Sequence, residues 1–150
     1  MIDRHARDEL AHLVKGFASG RITNFQFEGN VPYSNDRAIG AIEDYFWSFY
    51  DDGKEHKLSV PDVPKTTKKE IARIILFLNS DRSYEWNDKR NGLRFFAQFF
   101  KRPKALRALR VKKFDLHNQG DMSVWPFMHR KHMMAEANKP RVGLSLSLAS

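Results

Sequence analysis

The sequence predicts an all-α fold: a single compact domain of five or six helices packed around a central apolar helix over residues 67–79. Three observations carry this. First, apolar residues recur at helical spacing in three separate stretches: Leu10, Leu13, Val14 and Phe17; Ile39, Ile42, Phe46 and Phe49; Ile71, Ile74, Ile75 and Leu78. Second, the last of these sits in the most apolar run of the chain, TKKEIARIILFLNSDRSYEW, at 67–86. Third, 150 residues suffice for one domain with a real core, and 41% apolar residues with 13% aromatics exclude wholesale disorder.

The first helix is expected over residues 5–18, with Asp8 and Glu9 in its first turn, Lys15 in its last, and Gly16 or Gly20 as the stop. RITNFQFEGNVP follows. There Thr23 can cap a short turn carrying Phe25, Phe27 and Glu28, a device for packing a second turn back onto the first helix. Ser34 or Asp36 can cap a second long helix reaching about Tyr50. Asp51, Asp52 and Gly53 make a turn, and the proline-bearing stretch to Pro64 is a loop with a short extended piece at 58–60.

Thr67 and Glu70 have the spacing of a capping box for the central helix. Ala72, Leu76 and Phe77 widen its apolar face until little of it is polar, which predicts a place in the middle of the core. Asn79 and Ser80 are its stop residues. Beyond them, Asp81, Tyr84, Glu85 and Trp86 admit two readings. The carboxylate pair beside aromatics could form a polar pocket. Alternatively, Ser80 or Asp81 caps again while Tyr84 and Trp86 close over the core, and nothing else in the segment demands chemistry.

Residues 93–100 hold four phenylalanines at one-turn spacing, and the run KALRALRVKKF is rich in helix formers, so helix is preferred over strand there. Pro103 kinks that helix or starts a new one, which would run from Lys104 to about Asn118, stopped by Gly120. Asp121 or Ser123 can cap a last helix whose first turn tolerates Pro126, with Trp125, Phe127 and Met128 pinning it to the body. The domain is expected to end at 137, with a mobile tail over 138–150.

The formal net charge is +8. Between Asp88 and Lys113, ten lysines and arginines face Asp88 alone, while the rest of the chain holds sixteen basic and seventeen acidic residues. The excess charge therefore lies in one segment, and an electrostatic function belongs there too. Arg94, Lys101, Arg102, Lys104, Arg107 and Arg110 alternate with Phe95, Phe96, Phe99 and Phe100. Such a segment can meet an acidic protein surface, the reading preferred here. It can also contact phosphates while a phenylalanine stacks on a base, or lie on a membrane surface. No tight helix-turn-helix accompanies it.

Other function classes find little support. The chain has no cysteine, which removes disulfides, thiolate zinc sites and cysteine nucleophiles. His117, His129 and His132 lie near Asp115 and Asp121, but His129-Arg130-Lys131-His132 puts two cations between the would-be metal ligands. Glycine-rich phosphate loops and the GxSxG nucleophile turn are missing. The expectation is a protein without catalytic residues, cofactor or metal. MIDRHARDELAHL is too charged for a signal peptide and no run reaches membrane-spanning length, so a cytoplasmic protein with no transmembrane segment is expected.

Three segments together, GRITNFQFE at 20–28, ARIILFLNSDRSYEW at 72–86 and GDMSVWPF at 120–127, resemble a family of small bacterial proteins. In that family a segment like ILFLxSDxxYEW is followed by one like GDxxVWPF. Asn87 stands where the family has proline after YEW. The resemblance covers most of residues 5–137 and implies a bacterial cytosolic protein with no assigned activity. Orphan domains of this kind often serve as partners or immunity proteins of toxins, which adds to the expectation of protein binding.

Overall fold

The computed structural model describes residues 1–51, 53–58, 63–87 and 119–140. These form five α-helices: α1 (Arg4–Ala18), α2 (Asn24–Gly29), α3 (Arg37–Phe46), α4 (Lys65–Leu78) and α5 (Arg130–Ala137), with 3-10 turns at Trp47–Phe49 and Met122–Val124. Among the described residues there is no strand, only a single antiparallel bridge between Thr23 and Lys57. The fold is all-α. The helices expected at 93–100 and 104–118, the basic residues from Lys89 to Lys113, and positions 141–150 of the expected tail lie outside the described residues.

α1 is the helix that touches most of the others, packing on α2, α3 and α4. Its N-cap is Asp3, whose side chain accepts from the Ala6 N–H, so Asp8 and Glu9 fall in the second turn rather than the first. There each accepts an i,i+4 partner, Arg4 to Asp8 at 2.8 Å and His5 to Glu9 at 3.2 Å. The helix stops at Ser19 and the chain reverses at Gly20, whose φ of +68° suits a residue without a Cβ. Gly16 stays helical and lets Ile22 lie against the helix.

Thr23 caps α2 as expected and completes a capping box with Gln26. α2 thereby swings Phe27 onto α1 and α3. The Phe17–Phe27, Phe27–Phe46 and Phe17–Phe46 ring centroids are 5.4, 5.1 and 6.2 Å apart. Of the two cap candidates for α3, Asp36 is the one used, accepting from the Ala38 N–H. That helix ends at Phe46 instead of Tyr50 and tightens into the 3-10 turn. The antiparallel bridge falls at Lys57, one residue before the extended piece expected at 58–60, of which 59 and 60 lie outside the described residues.

The capping box foreseen at Thr67 and Glu70 does not form. α4 starts two residues earlier, after Pro64, whose carbonyl accepts from the Lys68 N–H, and no side chain caps it. Thr67 is then inside the helix, and Glu70 is free to accept from the Tyr45 hydroxyl at 2.7 Å. α4 buries Ile71, Ile74, Phe77 and Leu78, whereas Ile75 and Leu76 are half-buried and Ala72 is exposed. Its burial is therefore one-faced, and α1 and α3 bury seven residues each. α4 packs on both α1 and α5, and only its apolar face is narrower than composition suggested.

The C-terminal region also departs from expectation. Asp121 caps the 3-10 turn Met122–Val124, a cis Trp125–Pro126 peptide follows, and the last helix begins only at Arg130. Pro126 thus belongs to the turn, not to a helix start. Phe127 is buried and Trp125 and Met128 pack against the core, so these three anchor the turn before the last helix and not the helix itself. α5 ends at Ala137 with Asn138 as its C-cap, and Lys139 just beyond pairs with Glu136 at 2.6 Å.

Candidate functional site

The extended segment 81–87 separates the four residues of the foreseen polar pocket. Tyr84 and Trp86 are buried while Asp81 and Glu85 are exposed. The reason is the two-residue period of extended chain, which sends 84 and 86 to one side and 81 and 85 to the other. Asp81 meets Arg4 at 3.5 Å. Trp86 is fully buried, and its Nε1–H donates to the Pro126 carbonyl at 2.9 Å. The Tyr84 hydroxyl accepts from Trp125 Nε1 at 3.2 Å. These are the polar tips of core aromatics, each with a partner. Ser80 does not start a second helix: its hydroxyl donates to the Phe77 carbonyl at 2.7 Å and closes α4.

Sequence reasoning missed Arg7, the centre of the polar architecture. Its side chain is 0% exposed and that of its partner Asp36 is 3% exposed. Arg7 Nε donates to Asp36 Oδ2 at 2.6 Å and Nη2 to Oδ1 at 3.2 Å, a two-pronged pair. Its Nη1 donates to the carbonyls of Ser80 at 3.0 Å and Arg82 at 2.7 Å, and the guanidinium lies 5.1 Å from the Phe77 ring centre. Arg4, one turn earlier, donates to Leu78 O and Ser80 O. Two cations of α1 therefore satisfy the open carbonyls at the α4 C-terminus, where the helix dipole is negative.

Asp36 carries three duties: cap of α3, partner of Arg7, and acceptor from the Asp3 N–H at 3.2 Å. Ser34 links it to Asp3, donating to Asp3 Oδ2 at 2.8 Å while accepting from the Asp36 N–H. Burial pushes the Asp36 carboxyl up, but the Arg7 hydrogen bond and those from the Ala38 and Asp3 N–H groups outweigh it and hold the carboxyl below its ordinary range. The signal available beforehand was Asp36 as a cap. Arg7 looked like one more polar residue on an amphipathic helix.

A second cluster joins α3, α4 and the 121–128 turn. Tyr45 stacks on Trp125 at 5.5 Å and donates to Glu70, and Arg73 Nε donates to the Trp125 carbonyl at 2.6 Å. Burial, then the hydrogen bond to the Glu70 carboxylate, drives the Tyr45 phenol far above its usual range, so it is a fixed donor and not an acid. Gly120 is needed for close approach: a Cβ there would fall 2.5 Å from Met128 Sδ and 2.7 Å from Met128 O. Elsewhere the buried Asn24 amide clasps the 51–56 loop, donating to the Asp51 and Lys54 carbonyls and accepting from the His56 N–H.

His129, exposed just before α5, and His132, half-buried in its first turn, have ring centres 5.2 Å apart, and among the described residues no three His, Asp or Glu side chains gather as a metal-ligand set. His117 and Asp115 lie outside the described residues, as do Arg94, Lys101, Arg102, Lys104, Arg107 and Arg110. No helix among the described residues is long and apolar enough to cross a membrane.

Fold and polar architecture together define a small all-α domain whose buried polar groups hold helices to one another. No protein-family model, curated protein or solved structure matches this chain.

Proposed function

We propose that this is a non-enzymatic interaction protein that binds an acidic protein partner through its basic 88–113 segment. The observation that carries the reading is the placement of charge: ten cations against one acid in 26 residues, and near-balance everywhere else. Such a concentration raises the encounter rate with an anionic surface and aligns the two charge patterns. The resemblance to small bacterial proteins of unassigned activity adds an immunity-protein-like role in the bacterial cytoplasm. The arginines and lysines at 94, 101, 102, 104, 107 and 110 are the contact residues in this reading. It is consistent with the employment of Arg7, Asp36, Tyr45, Glu70, Tyr84 and Trp86 in structural bonds.

Nucleic acid is the rival ligand for the same segment, favoured by the interleaving of these cations with Phe95, Phe96, Phe99 and Phe100. The test compares the wild type with Arg102→Glu/Arg107→Glu. The double reversal is expected to abolish cross-linking to an acidic partner protein recovered at low salt. Partner capture that survives the reversal overturns the protein-binding reading. A mobility-shift series with single- and double-stranded nucleic acid across salt concentrations decides the rival, which is lost if nothing shifts even at low salt.

A further inference from the structure

α5 is held to the body in an unusual way. It is eight residues long, too short to stand alone in water. Its start, His129, supplies no side-chain cap, and its one buried residue is a glutamate. The Glu136 carboxylate accepts from Arg82 Nε at 2.8 Å and from Lys139 Nζ at 2.6 Å. Arg82 belongs to the 81–87 segment, so this pair is a buried-carboxylate link between α5 and the body; at the helix start, the exposed Arg130 also reaches Asp121 at 3.7 Å and donates to Ser123 Oγ at 3.1 Å. Of the apolar residues of α5, Met133 rests partly buried on the core while Met134 is exposed. Among the described residues, the charged groups acting on Glu136 are Lys139 from its own C-terminal turn and Arg82, and α4, the helix packed against α5, contributes none.

We infer that α5 is a charge-held latch: it docks as a helix while Glu136 is ionised and engaged by Arg82, and it releases and unwinds as a unit, ahead of α1 and α3, when that clamp is broken. The contrast with α1 carries the inference. α1 is fixed by an apolar face of Leu10, Val14 and Phe17 in addition to its buried ion pair, whereas α5 buries no apolar residue fully and sets only the partly buried Met133 and the exposed Arg130 contacts beside its carboxylate. Release uncovers the Arg82 guanidinium and the flank on which Met133 rests. Burial pushes the Glu136 carboxyl up, but the bonds from Lys139 and Arg82 outweigh it and leave it below the ordinary range. A carboxyl lowered on docking favours the docked state at neutral pH and loses that contribution as pH falls through the carboxylate range.

Hydrogen exchange of the full-length protein, reported as protection factors, tests this. Glu136→Gln is expected to lower protection across Arg130–Ala137 roughly tenfold or more, the equivalent of one pKa unit of differential interaction, with α1 unchanged. Met133→Ala is expected to do less. The latch is overturned if Glu136→Gln leaves α5 protection intact, if Met133→Ala is the more damaging change, or if α1 and α5 lose protection together.

Discussion

At the residue scale, the Arg7–Asp36 pair is the point at which a single change does most harm. Both charges are out of water, so removing one leaves the other buried without a partner. Arg7→Met is expected to destabilise the protein by about 3–5 kcal/mol, and Asp36→Asn, which keeps shape and a cap oxygen, by less. Urea unfolding of both variants checks this. The double variant Arg7→Met/Asp36→Asn should recover part of the loss, because it removes both charges, keeps an oxygen for the Ala38 N–H, and leaves the Arg82 carbonyl open while Arg4 still donates to Ser80 O. A double variant no better than Arg7→Met would mean that the carbonyl bonds, not the ion pair, dominate. Asp36 was legible in the sequence as a cap and Arg7 was not, since long-range pairs across 29 residues leave no local trace.

At the element scale, local signals were read where the device was local. The Thr23 cap needs only Gln26 three residues on, and Gly20 needs only its own backbone angle. Thr23→Ala is expected to cost about 1 kcal/mol, as typical for a lost cap oxygen, with the fluorescence-monitored unfolding midpoint shifted and the fold retained. A change below a few tenths would show that Phe27 packing alone positions α2. The signals failed where two local candidates competed. Thr67-x-x-Glu70 is a sound capping pattern, yet Pro64 begins α4 earlier and Glu70 is claimed by Tyr45. Of Asp121 and Ser123, Asp121 is the residue that caps, but it caps the 3-10 turn Met122–Val124, and the last helix begins only at Arg130.

At the scale of the whole molecule, the described body is stapled by carboxylates held in their ionised form. Asp36 and Glu136 are held below their ordinary range by arginine, lysine and N–H partners. The unfolded chain therefore takes up protons before the folded one. Their stabilisation is complete above the ordinary carboxylate values, about 3.9 for Asp and 4.3 for Glu, and declines as pH falls through and below them. The melting temperature should be level near neutrality and drop below about pH 4, with a shallower drop in Asp36→Asn. A variant curve parallel to the wild type would remove Asp36 from the acid response. The motif segments that looked distinctive meet here as packing devices. Tyr84 and Trp86 engage Trp125 and Pro126, and Phe77 lies 5.1 Å from Phe127.

The sequence alone determined what depends on neighbours along the chain: the helical class, the helix faces at Leu10–Phe17 and Ile39–Phe46, the Thr23 and Asp36 caps, and the unequal distribution of charge. Only the tertiary structure decided which polar side chains become internal fasteners and which aromatic residues close the core. Burial and long-range pairing depend on what the rest of the chain brings to a position: Arg7 is interior because Asp36, Ser80 and Phe77 surround it, and Asp81 is exterior because the extended segment turns it away.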